Sequence, residues 1–181
     1  IETSEVVMQD VSVELRLPGR VSYDETKIAD VSAWAGGRIE KLHVNFTGDY
    51  VQQGHPLCSL YSPALNLAQQ EYLTIVKRVA STDTLNSGVI DNARAKLLLL
   101  GITAAQIDAL ERRGSAADVM DIQAPVSGVV LARDVYAGGY VATGDRMFRI
   151  AQLDNVWVEL DVYEVNADRV QAGQAAVFTA Q

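Results

Sequence analysis

The side chains that could carry chemistry are few and scattered. Cys58 is the one cysteine, and His55 lies three residues before it. A thiol beside an imidazole is the pair from which a nucleophilic thiolate is made. Cys58 sits, however, in Leu57-Cys58-Ser59-Leu60, an apolar stretch where a thiol serves as a small buried hydrophobe. The packing role is the stronger reading. His43 and His55 are each candidate metal ligands, but twelve residues and two turns separate them, so spacing gives no reason to pair them. Thioether sulfur suits soft Cu(I) and Ag(I). Of the three methionines, Met120 and Met147 stand at strand positions and read as core fillers, which leaves Met8. No Ser-His-Asp spacing, phosphate-binding glycine loop or paired-histidine motif is present. The expectation is a chain without catalytic activity and without a bound cofactor.

The elements that would position these residues are laid out by an internal repeat. Residues 31–60 read VSAWAGGRIEKLHVNFTGDYVQQGHPLCSL, and residues 122–150 read IQAPVSGVVLARDVYAGGYVATGDRMFRI. Gly37 falls on Gly128, Ile39 on Val130 and Val44 on Val135. After a one-residue slip, Tyr50-Val51 falls on Tyr140-Val141, Gly54 on Gly144, Leu57 on Met147 and Leu60 on Ile150. Matched glycines imply matched backbone demands, either positive φ or close approach of two chains. One copy alone leaves an apolar face bare, and two can close over each other. The two segments are therefore expected in one domain, with Val44 and Val135 both inward.

Between the copies the period changes to that of helices. Ser62-Pro63 opens the first, with serine as cap and proline in the first turn. Leu65, Ala68, Tyr72, Ile75, Val76 and Val79 share one face, with Gln69, Gln70, Lys77 and Arg78 off it. The first helix ends near Ala80, and polar Ser81 to Gly88 forms a turn. Ile90, Ala93, Leu97 and Leu100 mark a second helix, ended by Gly101. Thr103 with Gln106 forms a capping box, Ile102 with Ile107 its hydrophobic staple, and Gly114 ends the third helix. Outside the repeat, Val11, Val13, Leu15 and Leu17 alternate as a strand turned by Pro18-Gly19, and residues 21–28 continue as sheet. Val156, Val158, Leu160 and Val162 alternate as another strand. A short helix over 164–170, a turn at Gly173-Gln174 and a strand over 176–179 follow.

The formal net charge of −8 argues against nucleic acid and anionic membrane surfaces. No apolar run approaches the ~18 residues of a membrane span. The chain opens on Ile1 without a leader, which points to a mature or trimmed form and is uninformative about compartment. With 49% hydrophobic residues among 181, the chain can fill a core or two small ones.

The run GRIEKLHVNFTGDYVQQGHPL, then YSPALNLAQQEYL, then APVSGVVLARDVYAGGYVATGD, resembles the periplasmic adaptors, or membrane fusion proteins, of heavy-metal efflux systems of the resistance-nodulation-division class. Within these it is similar to the copper/silver branch, and the resemblance covers residues 8–178. Biotinyl and lipoyl carriers share the glycine frame. Tyr61-Ser62-Pro63 and Gln69-Gln70-Glu71-Tyr72 after it, with the second half beyond the helices, make the likeness specific. It implies a mainly β fold with a helical insert: a lipoyl-like β-sandwich over 30–61 and 120–150, split by a short helical bundle over 62–114. Residues 8–29 and 151–181 would form part of a β-barrel that the chain leaves open.

The same resemblance implies a periplasmic adaptor, held at the inner membrane by a segment outside this chain. It would link a resistance-nodulation-division metal/proton antiporter to an outer-membrane channel. Copies would form a homo-oligomeric ring, six by resemblance, with no nucleic acid partner. In copper/silver adaptors a methionine cluster near the N-terminus is the expected ligand set, so Met8 becomes the candidate transient Cu(I)/Ag(I) ligand. The turn Thr82, Asp83, Thr84, Leu85, Asn86 and Ser87 becomes the channel contact. Adaptors with long hairpins carry an arginine-leucine-serine pattern near that tip, and Arg78, Leu85 and Ser87 do not match its spacing. Trp34, Tyr50, Tyr140 and Trp157 are expected to pack, with Trp34 at a subunit edge. Two alternatives stand beside this reading. One is a biotinyl or lipoyl carrier domain of a transferase complex, which needs a lysine at a hairpin tip. Lys27, Lys41, Lys77 and Lys96 are not so placed. The other is an adaptor of an ATP-driven exporter, for which longer helices are expected.

Overall fold

The computed structural model describes residues 14–81 and 87–179. It divides into two units, one running Tyr23–Asn155 and the other joining the described residues up to Ser22 to those from Val156 onward.

In the larger unit the repeat builds two four-stranded sheets. The first copy contributes β2 (Ile28–Ser32), β3 (Gly37–Leu42), β4 (Tyr50–Val51) and β5 (Pro56–Tyr61), with β1 (Gly19–Tyr23) preceding them. The second contributes β6 (Val119–Gln123), β7 (Gly128–Arg133), β8 (Tyr140–Val141) and β9 (Arg146–Ala151). The sheet orders are β2-β9-β7-β4 and β6-β5-β3-β8. Each copy keeps its central pair and lends its outer two strands to the other's sheet. Tyr50-Val51 pairs with Val129 and Gly128, and Tyr140-Val141 pairs with Arg38 and Gly37. All these pairings are antiparallel, and neither sheet closes into a barrel.

The exchange explains the matched glycines. A Cβ on Gly37 would lie 2.3 Å from the Tyr61 carbonyl oxygen, and one on Gly128 would lie 2.4 Å from that of Ala151. Gly54 and Gly144 instead meet nothing within 4 Å but have φ of 82° and 94°. Both demands inferred from the sequence occur, each at its own matched pair.

The apolar matches fill one core. Ile39, Val130, Leu57, Met147 and Ile150 are 0% exposed, and Val44 and Val135 are 5% and 4% exposed. Burying each such side chain stabilises by about 1.5–3 kcal/mol before conformational entropy is counted. The expected single domain and the inward Val44 and Val135 are thus found, and Met147 is core as expected. Met120 is partly buried against it.

Between β5 and β6 lie α1 (Pro63–Ser81), α2 (Ser87–Leu99) and α3 (Ala104–Arg113). The capping box at Thr103 is present on both arms, and Gly114 caps the other end with φ 69°. Both staple residues, Ile102 and Ile107, are buried.

In the smaller unit β1 pairs with β10 (Val156–Leu160). Here several expectations are corrected. Residues 14–18 are not in a strand, although Leu15 and Leu17 are half-buried in alternation; the ladder starts at Gly19. The reason is that, among the described residues, no strand runs alongside 14–18 to complete a ladder. Val11 and Val13 lie outside the described residues. The sheet expected over 21–28 is interrupted by a single 3-10 turn, Glu25–Lys27, capped by Asp24, whose Oδ1 accepts from Thr26 N at 3.0 Å. Residues 176–179 are not a strand, having no ladder partner among the described residues. Glu164–Arg169 is a 3-10 helix and Gly173 a turn with φ 91°, both as expected.

The aromatic expectation also fails. Trp34, Tyr50, Tyr140 and Trp157 are 64%, 66%, 74% and 52% exposed. On a half-covered sheet the outward positions face solvent, and Tyr50 and Tyr140 occupy those positions in two-residue strands. Trp34 nonetheless has a defined seat, because its indole lies on Gly101, where a Cβ would come within 2.6 Å of it.

Candidate functional site

Two clusters of ionisable and polar groups in the larger unit bear on function, a trio on the β3-β5-β6 face and the root of the helical insert.

The trio is His43, Ser59 and Asp121. Pairing of β5 with β6 sets Ser59 opposite Asp121. His43 stands just past β3, where its N–H and that of Val44 both donate to Leu57 O, at 2.9 and 3.2 Å. Two residues facing one partner make a bulge, which re-aims the side chain. The imidazole Nε2 thereby comes 2.9 Å from Ser59 Oγ. Ser59 Oγ donates to Asp121 Oδ1 at 2.6 Å, and Nε2 is 3.7 Å from the same oxygen. A carboxylate only accepts, so Ser59 spends its proton on Asp121 and must accept from His43. The chain of donation runs histidine to serine to aspartate. In a nucleophilic triad the histidine takes the serine proton and the aspartate holds the histidine. The order here is wrong for that chemistry.

Cys58, next along β5, turns the other way and is 0% exposed. Burial, and secondarily the charge of Asp121, push its thiol up to about 12. Thiolate, the nucleophilic form, is thus disfavoured, and the packing role holds. His55 is exposed, whereas the Cys58 thiol is buried. Lys41 and Lys77 are exposed, Lys77 Nζ donating to Gly114 O at 3.4 Å, and Lys96 is bound to Glu71 at 2.5 Å. None of the lysines stands at a hairpin tip joining the two halves, because α1–α3 occupy that connection.

The root ties the insert to the sandwich through backbone groups. Ser62, 1% exposed, donates from Oγ to Gly36 O at 2.7 Å and accepts from Leu65 N. Gln69 is also 1% exposed, although the helical pattern puts it off the apolar face. Its amide brackets Ala117, donating to the carbonyl at 3.2 Å and accepting from the N–H at 3.0 Å. Gln106 Nε2 donates to Asp121 O at 2.7 Å, and Asn66 Nδ2 to Asp118 Oδ1 at 2.7 Å. Further out, the Tyr72 hydroxyl donates to Glu111, and Arg94 bonds Asp108 at 2.7 Å, joining all three helices. Burial and the Glu111 carboxylate push the Tyr72 phenol up to about 12. A cleft of about 200 Å³ opens between α3 and β6, lined by Gln69, Gln106, Arg113, Met120 and Asp121 among others.

Met8 and residues 82–86 lie outside the described residues, and Ser87 opens α2. Among the described residues, three or more His, Cys, Asp or Glu side chains nowhere gather as a metal site. Among the same residues no helix is long and apolar enough to cross a membrane.

The model of one protein family, the CusB barrel-sandwich hybrid domain, matches residues 28–151. The cation efflux system protein CusB of Escherichia coli strain K12 is 32% identical over 164 residues, 91% of this chain. The membrane fusion protein SilB of Salmonella typhimurium is 28% identical over 164 residues, 91% of this chain and 37% of that protein. The crystal structure of ZneB from Cupriavidus metallidurans superposes with a TM-score of 0.54 at 20% identity, covering 87% of this chain and 74% of that one, and shares the fold. The chain spans about two fifths of the curated relatives it matches, 39% in the case of CusB.

Proposed function

The chain belongs to the family of the CusB barrel-sandwich hybrid domain, and from that premise we propose that it is part of a periplasmic adaptor for heavy-metal efflux. The adaptor links a resistance-nodulation-division pump of the inner membrane to an outer-membrane channel, and its cargo is Cu(I) or Ag(I). Its role is organisational. Copies assemble side by side, six to a ring, with the sandwiches stacked around a conduit and the helical insert directed at the channel. An anchor outside this chain holds it at the inner membrane. The domain division that goes with this reading is barrel for 8–29 and 151–181, lipoyl-like for 30–61 and 120–150, and insert for 62–114.

The observation that carries the reading is the exchanged-strand sandwich interrupted between β5 and β6 by α1–α3. A biotinyl or lipoyl carrier joins its two halves there by a tight hairpin bearing the modified lysine, and this chain has helices instead. The short insert, with helices of 19, 13 and 10 residues, weighs against an ATP-driven exporter's adaptor. Soft cargo fits the thioether of Met8 and the lack of a three-ligand His and carboxylate cluster among the described residues.

Site-directed photo-crosslinking from Leu85 in living cells tests the insert's role. The expected product is an adduct with an outer-membrane channel. Crosslinks to inner-membrane proteins alone, or a lysine-borne cofactor in the intact mass, would overturn the proposal.

A further inference from the structure

The cleft between α3 and β6 runs along an edge of its sheet. β6 has β5 on one side and, among the described residues, no strand on the other. Backbone groups point alternately to the two sides of a strand. Gln106 reaches Asp121 O from α3, while Ala124 bonds His55 and Gly54 on the β5 side. The N–H and carbonyl of Asp121, and of Val119 two residues before it, therefore face away from β5. Glutamines guard part of this edge. The Gln69 amide takes both backbone groups of Ala117, as a paired strand would, and Gln106 takes the Asp121 carbonyl. Between them lies Val119, which lines the cleft and whose N–H and carbonyl no described residue bonds on that edge. Such a pair of groups is a template for another chain.

The surroundings say which chain fits. A strand added antiparallel to β6 has its C-terminal end toward Ala117. There Gln69 already fills the ladder, so the added strand must stop. Arg113 stands at that same end of the cleft, its Nε donating to Ser115 O at 2.8 Å. A guanidinium suits a carboxylate, which it can grip through two N–H groups. At the other end the Asp121 side chain is 50% exposed and presents a carboxylate of its own. The parallel direction would set like charges together there. Ile102, Leu110 and Met120 line the cleft between the two ends. We infer that this cleft binds the carboxyl-terminal end of another polypeptide as a short added strand. The last residue pairs with Val119: its N–H donates to the Val119 carbonyl, and its carboxylate accepts from the Val119 N–H and from Arg113. Residues directly opposite each other share a face of the sheet. The third residue from the end is therefore basic and faces Asp121, and the one between is apolar and turns to the side of Met120. At about 200 Å³ the cleft takes a chain end and not a long strand. The inference does not depend on the efflux reading, since the edge and its two charges belong to the sandwich and the root of the insert.

The probe is acetyl-Lys-Leu-Val with a free carboxylate, titrated into the ¹⁵N-labelled chain beside the same peptide amidated at its C-terminus. Shifts are expected at the Val119 and Asp121 amides. Amidation should weaken binding about tenfold or more, because it removes the charged partner of Arg113. Arg113→Gln should abolish that difference between the two peptides. Val119→Pro should abolish binding while the rest of the amide spectrum is kept, because the N–H it removes lies on the edge away from β5. Equal affinity for the two peptides, undiminished binding by Val119→Pro, or no shift at Val119 with millimolar peptide overturns the assignment.

Discussion

The four matched glycines should not be equivalent when replaced by alanine, and the order of their costs follows from the geometry. At Gly37 the new carbon meets the Tyr61 carbonyl oxygen at 2.3 Å, and at Gly128 the Ala151 oxygen at 2.4 Å, against ordinary contacts of 3.4–4 Å. Neither obstacle is a flexible side chain. Both are backbone of the strand paired alongside, β5 for Gly37 and β9 for Gly128. Relief means opening one end of a central ladder and shifting Leu60 or Ile150, which are 1% and 0% exposed. Overpacking of a rigid site costs about 1–3 kcal/mol or more, and these two belong at the top of that range. Gly54→Ala and Gly144→Ala meet no atom within 4 Å and carry only the positive-φ penalty, about 1–2 kcal/mol. Gly88→Ala, in α2 with open space around it, should stabilise by about 0.5–1 kcal/mol. Thermal unfolding reads these as shifts of about 2–4 °C per kcal/mol for a chain of this size. Equal costs at Gly37 and Gly54 would refute the close-approach argument. A large cost at Gly37 with none at Gly128 would refute the claim that the two copies are structurally equivalent.

Three further outcomes follow from the same contacts. Gln69→Leu should cost about 2–3 kcal/mol in urea unfolding, because it leaves the Ala117 N–H and carbonyl without their bracketing amide. Cys58 should resist iodoacetamide at pH 8 in the native chain and react promptly in denaturant, since it is fully buried with its thiol pushed up to about 12. Asp30 is held below the usual carboxylate range chiefly by its hydrogen bonds from Arg149. A depressed carboxylate contributes stability above its unfolded pKa and loses it as pH falls through the folded value. Wild type and Asp30→Asn should therefore differ at pH 7 and converge as acid titrates the group. A difference that grows toward acid would contradict the linkage.

What was legible in the chain was local or repeated. The capping box at Thr103 is written in four adjacent residues, and its hydrogen bonds appear as read. The matched glycines and apolar positions gave the sandwich, because a period-2 pattern fixes which side chains turn inward. The exchange of outer strands was not legible, since no residue of β4 names its partner on β7. The trio was hidden for the same reason: Ser59 and Asp121 are 62 residues apart and meet only because β5 and β6 pair across the whole insert. Gln69 resembled a surface residue until Ala117 supplied it with a backbone partner. The ladder beginning at Gly19 and the coil at 176–179 escape the pattern because alternation marks a possible strand, while a strand exists only where a neighbour accepts its hydrogen bonds.

The central claim, an adaptor for soft-metal efflux, is tested most directly by growth. A strain lacking the gene is complemented with the full-length protein and plated on copper, silver, zinc and cobalt. Rescue on copper or silver is the predicted result, with loss of rescue when residues 82–87 become a Gly-Ser linker. Rescue on zinc or cobalt but not on copper or silver would contradict it.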